Sequence, residues 1–162
     1  MSIAVLSTRT RLAVACLLQA ALVAFAVWPQ LSARTTGDDY LLAVAPLDPI
    51  DPFRGAYVTL DYPDLTQPDY GSVPTGTVYV PLERIAGSEL WRGTQPLAAA
   101  PDDGPYLRCE FENVPLRCGI SSLFASQEEA RRLEREIAGG AVARVRVDSR
   151  GNAAVLEVLP GS

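Results

Sequence analysis

Leu12-Ala13-Val14-Ala15-Cys16-Leu17-Leu18-Gln19-Ala20-Ala21-Leu22-Val23-Ala24-Phe25-Ala26-Val27-Trp28-Pro29-Gln30-Leu31-Ser32-Ala33 runs uncharged between Arg11 and Arg34. Its centre, Leu12 to Trp28, is apolar except for Gln19. At about 1.5 Å per residue the run spans roughly 25–33 Å, close to the hydrocarbon thickness of a bilayer. Trp28 and Pro29 close it with an interfacial aromatic and a helix breaker. Arg9 and Arg11 lie on its N-terminal side, so the positive-inside rule places residues 1–11 in the cytoplasm. A transmembrane anchor then occupies 12–33, and all that follows lies outside or in the periplasm. The rival reading is a cleaved signal peptide, which shares the charged start and an apolar stretch. Ala24-Phe25-Ala26 mimics a cleavage site but lies inside the run; Leu31-Ser32-Ala33 is better placed, with a poor first residue. Length favours the anchor, and both readings export the same domain.

The 162 residues fit one domain plus this appendage. The chain has no histidine, and every one of its 14 basic residues is arginine. A GC-rich genome produces much of that bias, but the chemistry follows whatever its origin. Without imidazole there is no Ser-His or Cys-His pair, and without lysine no Schiff base, Ser-Lys dyad or P-loop lysine. Histidine-ligated zinc and iron are excluded as well. We therefore expect no enzyme, no metal and no cofactor. The net charge is −5, and −7 once Arg9 and Arg11 are left on the cytoplasmic side. An acidic domain with no basic patch beside the membrane argues against nucleic acid and against anionic lipid surfaces.

Beyond the anchor, 34–39 reads as a polar linker into a domain over 40–162, beginning with a strand at Tyr40 to Ala45. Pro46-Leu47-Asp48-Pro49-Ile50-Asp51-Pro52-Phe53-Arg54-Gly55 reads as a stiff loop, because each proline removes a donor and pushes its preceding aspartate toward extension. Ala56 to Tyr62 alternates as a strand, with Ala56, Val58 and Leu60 on one side. Pro63 to Gly76 reads as a loop, Thr77 to Leu82 as a strand, and Glu83 to Gly104 gives no clear pattern. Tyr106 to Glu112 and Pro115 to Ile120 resemble two arms of a hairpin around Asn113-Val114. Ser126-Gln127-Glu128-Glu129 is a capping box, followed by the apolar stripe Ala130, Leu133, Ile137 and the stop Gly139-Gly140. Ala143-Val145-Val147 alternates against Arg144-Arg146-Asp148, and a turn at Ser149 to Asn152 leads into Ala154-Leu156-Val158. The expected fold class is α+β: a transmembrane helix, then a small, mostly antiparallel β domain of about seven strands with one helix.

Cys16 lies in the anchor, where it serves as a small apolar residue. Cys109 and Cys118 are equidistant from Asn113-Val114, so the expected hairpin sets them opposite each other, near bonding distance. Export favours a disulfide. Two free thiols and a redox-active pair are the alternatives, although the spacing is not Cys-x-x-Cys.

Gly55-Ala56-Tyr57-Val58-Thr59-Leu60-Asp61-Tyr62 resembles the signature of the GDYXXLXY family, and Pro46 to Arg54 looks like that family's Asp-Pro lead-in. Leu116-Arg117-Cys118-Gly119-Ile120 and the hairpin from Val142 to Val158 are also similar to it. Ala56 stands where the family carries an aspartate, and Ile50 where an arginine is common. The resemblance implies a bacterial or archaeal membrane-anchored protein without an established activity, often encoded beside polytopic membrane proteins. It thereby implies such a protein as partner.

Two functional readings follow. In the first, a non-enzymatic interaction or accessory module serves a polytopic membrane protein or an envelope component. Asp48, Asp51, Arg54 and Gly55 on the stiff loop, with Tyr57 and Tyr62 beside it, form its binding surface. In the second, an envelope hydrolase uses Asp48 and Asp51 as acid and base. Both aspartates share one short loop rather than flanking a cleft, which disfavours it. The plain structural alternative is a turn shaped by prolines, with Arg54 paired to an aspartate and Gly55 permitting close packing. A likeness to the Gly-Asp-Val-Val strand of signal peptidases is at most architectural, since that family needs a lysine. A divalent metal at Asp48 and Asp51 lacks further ligands.

Overall fold

The computed structural model describes residues 7–46, 57–65, 73, 75–112, 116–124 and 140–161. The first element is the helix α1, Thr8–Thr36, capped by the Ser7 hydroxyl, which accepts from the Thr10 amide. It is long and apolar enough to cross a membrane. Leu17, Leu22, Phe25 and Trp28 all stand exposed along it. Pro29 sits inside the helix rather than ending it, so the stop predicted at Trp28-Pro29 comes at Gly37 instead. The Thr35 and Thr36 hydroxyls donate back to the carbonyls of Leu31 and Ser32, adding to the helical bonds of the last turn.

Among the described residues eight strands follow: β1 Asp38–Pro46, β2 Tyr57–Asp61, β3 Gly76–Arg84, β4 Leu90–Gly93, β5 Tyr106–Phe111, β6 Ser122–Phe124, β7 Ala141–Val147 and β8 Ala153–Pro160. One run is ordered β5-β3-β4-β1-β2-β6, with β7 and then β8 added from β1. Every pairing is antiparallel except β1 with β4. The α+β expectation holds, as a curled and mostly antiparallel sheet behind one apolar helix.

Alternation builds the core. In β3, Val78, Val80 and Leu82 turn inward while Thr77, Tyr79 and Pro81 are half-buried. In β7, Ala141, Ala143, Val145 and Val147 are buried, and Arg144 and Arg146 between them carry the polar face. Leu42 and Val44 of β1, Leu107 of β5 and Ile120 join the same packed interior.

Two sequence expectations change in detail, and a third is not reached by the described residues. The second arm of the hairpin around Asn113-Val114 forms no strand at 116–120; Arg117 alone bridges Glu110, and β5 takes β3 as its main partner. The unreadable stretch contains β4, and β6 completes the pairing of β2. The helix expected at Ser126 to Ile137 lies outside the described residues. β8 also carries a bulge: Arg144 faces Glu157 while Val145 faces Val155, leaving Leu156 as the extra residue.

Candidate functional site

The loop residues Asp48, Asp51, Arg54 and Gly55 lie outside the described residues. Tyr57 opens β2 and is paired with Phe124 of β6. Tyr62, just past the end of β2, is a core residue: it is 7% exposed and its hydroxyl donates to the Ile120 carbonyl at 2.8 Å. Burial pushes its phenol well above the usual range, so it remains neutral. Leu60 is also buried, and its amide donates to the Ser121 carbonyl at 2.9 Å. The two large residues that end the signature therefore fasten β2 to the segment entering β6. Cys109 and Cys118 form a disulfide, with both residues buried and their Cα atoms 4.0 Å apart. Arg117, next to Cys118, bridges the β5 residue Glu110, so the predicted register holds even though the second strand does not.

A second constellation joins the helix to the sheet. Gly37 alone separates α1 from β1, in an extended conformation. A Cβ there would stand 2.5 Å from the Val147 carbonyl oxygen, so only glycine permits this approach. Arg146 of β7 lies directly across from Asp39 of β1. Its Nε and Nη2 donate to the two Asp39 carboxylate oxygens at 2.6 and 3.1 Å, while Nη1 donates to the Arg34 carbonyl at 3.0 Å. One guanidinium thus closes a cross-strand ion pair and caps a carbonyl of the helix C-terminus, where positive charge is favoured. The Arg146 hydrogen bond holds the Asp39 carboxyl below its usual range.

Asp148 makes the other tie. It is 6% exposed and heads the turn from β7 to β8. Oδ1 accepts from the amides of Arg150 and Asn152, each at 2.9 Å. Oδ2 accepts from Asn152 Nδ2 at 2.9 Å and from the Ser32 hydroxyl of α1 at 2.6 Å. Burial pushes its carboxyl up, but the bonds from Asn152, Ser32 and the backbone outweigh this and hold it below the usual range. Gly151 in the same turn has φ +77°, and a Cβ there would strike the Tyr106 ring at 2.6 Å. Sequence alternation had assigned Asp148 to the solvated side of its strand. The available signal was local: an aspartate at the head of a Ser-Arg-Gly-Asn turn bonds the amides that follow it.

Between these ties and β6 lies a crevice of about 650 Å3. Val27, Gln30, Leu31 and Arg34 of α1 form one wall; Gly119, Ser122, Leu123, Val155 and Leu156 form the other. The bulge is what supplies Leu156, and Ser122 belongs to the strand that pairs with β2 at Thr59. The signature strand is therefore one strand removed from the end of the apolar helix.

A family model described as GDYXXLXY protein matches residues 19–158, most of the chain including the second half of α1. Neither a curated protein nor a solved structure matches.

Proposed function

The chain belongs to the GDYXXLXY family, and from that premise we propose that it is a membrane-anchored, extracytoplasmic, non-enzymatic module docking onto a polytopic membrane protein. The observation that carries this reading is the junction. A helix fit to span a bilayer passes into the domain across one residue and is bonded to it at two points in its last turns. A domain held in that way stays at the membrane surface, within reach of the exposed loops of a neighbouring polytopic protein. The Cys109–Cys118 disulfide supports an oxidising compartment, and with Arg9 and Arg11 before the span it supports an N-terminus in the cytoplasm. The lack of histidine and lysine supports binding over catalysis.

In this reading the loop carrying Asp48, Asp51 and Arg54, together with Tyr57, faces the partner. Tyr62 and Leu60 hold the strand that follows it. Crosslinking and capture of the full-length chain from native membranes, with Arg54→Ala alongside, tests it. A polytopic protein captured by the parent chain and lost in the variant is the expected result. Capture of no membrane protein by either chain overturns it. Hydrolysis of an envelope polymer that Asp51→Asn abolishes would replace it with the carboxylate-hydrolase reading.

A further inference from the structure

The crevice between α1 and the sheet lies along the C-terminal end of the helix proposed above to enter the bilayer. Val27, Leu31 and Arg34 follow at intervals of four and three, so they form one stripe about 10 Å long on the helix. The stripe is apolar toward the membrane and cationic at its outer end. Opposite it, Leu123, Val155 and Leu156 continue the apolar wall, with the exposed Ser122 beside them. Val27 and Leu31 remain half exposed, so the described residues do not fill the space. Arg146 bonds the Arg34 backbone carbonyl and leaves the Arg34 side chain, which is exposed, to the crevice.

We propose that this crevice binds one glycerophospholipid drawn from the surrounding bilayer. Its phosphate meets the Arg34 guanidinium and the Ser122 hydroxyl, and the upper part of one acyl chain lies along Val27, Leu31, Leu123 and Leu156. A guanidinium suits a phosphate by charge and by paired donors. Below it Val27, Leu31, Leu123 and Leu156 accept methylenes, with the Gln30 amide as the polar group among them. The net charge of −5 disfavours a cluster of anionic lipids, and the crevice needs only one phosphate against one cation. The bulge has a role here, since a regular β8 would pair Leu156 in the ladder instead of leaving it as the extra residue beside the helix.

The inference rests on the membrane placement of α1 proposed above, and the test separates the two. The full-length chain is purified in mild detergent from phosphatidylethanolamine–phosphatidylglycerol membranes, washed with excess detergent, and read by native mass spectrometry. Membrane fractionation is run on the same samples. About one phospholipid per chain is expected to survive washing. Arg34→Gln, an exposed change that does not threaten folding, should lower occupancy at least five-fold. Leu156→Trp should abolish it by filling the space, while Phe25→Ala, on an 82% exposed residue outside the crevice, should not. Unchanged occupancy in Arg34→Gln, equal loss in Phe25→Ala, or no retained lipid at all overturns the assignment. A chain that carries no lipid but stays in the membrane fraction overturns the crevice alone; loss from that fraction overturns the anchor.

Discussion

The β1–β7–β8 region and the β2–β6 flank hold themselves together in different ways. β1 and β7 share seven paired positions, from Asp38 with Val147 to Val44 with Ala141, and β7 continues into β8 over a similar length. Long ladders with one buried face specify their own register, because a slip by one residue would turn the whole buried set outward. Among the described residues the flank shows no such length: β2 meets β1 at Ala45 and Pro46, and meets β6 over Tyr57 to Thr59. Its register is set by side-chain and loop devices: the Tyr62 hydroxyl on Ile120, the Leu60 amide on Ser121, and the disulfide just before Ile120. The difference shows why a signature can sit on a short strand. Where the ladder is weak, particular residues take over its work.

The strongest test of this contrast is Tyr62→Ala, which should cost about 3–5 kcal/mol by leaving a cavity in the core. Hydrogen exchange on the full chain in detergent should then show the amides of Thr59 and Leu60 opening well before that of Val145. Simultaneous opening of both regions would mean that the sheet is one cooperative unit. Replacing both Cys109 and Cys118 with serine should cost about 2–3 kcal/mol, the chain-entropy value for a short closed loop. The effect should again fall first on the flank, which protease sensitivity near Ile120 will reveal.

Asp148→Asn probes the opposite region. It should destabilise the chain by about 1–2 kcal/mol, since an amide replaces a buried carboxylate that accepts four hydrogen bonds. The sign with pH is fixed by its lowered carboxyl. The contribution is fully present above the unfolded value of about 3.9 and disappears as pH falls through the folded value. Asp39, lowered by Arg146, has the same sign. Denaturant midpoints should therefore fall with acid below about pH 4, and Asp148→Asn should flatten that slope. The smallest effect is expected from Tyr62→Phe. It keeps the ring and loses one buried hydrogen bond, for about 1 kcal/mol, with the flank still opening first.

Much of this was legible in the sequence, for physical reasons that differ by element. α1 is visible because no charge interrupts it, and β3 and β7 because their buried positions alternate. β4 is not visible: its one buried residue is Gly93, whose missing side chain makes room for Leu65 and Val80. No hydrophobicity pattern announces a strand that contributes an absence. β6 is three residues long, too short for any period. The cysteines were paired correctly because register depends on equidistance from the turn, which survives even where the second arm is a single bridge. Tyr62 illustrates a deeper limit. An aromatic with a hydroxyl serves a surface or a core equally well, and only the Ile120 carbonyl within reach decides between them. Asp148 was missed because alternation describes which way a residue points and not whether a helix will cover it.

Gly37 leaves no slack between α1 and the sheet, and Ser32 and Arg34 just before it are tied to Asp148 and Arg146, which flank the Val147 that Gly37 packs against. Helix and sheet consequently work as one lever. A transmembrane helix answers a thinner bilayer by tilting. A tilt of about 10° displaces a point 30 Å from the pivot, roughly the length of a nine-residue strand, by about 5 Å. On a flexible tether that tilt would be lost within the linker, whereas in the membrane placement proposed above this junction converts bilayer thickness into the position of the domain's far edge.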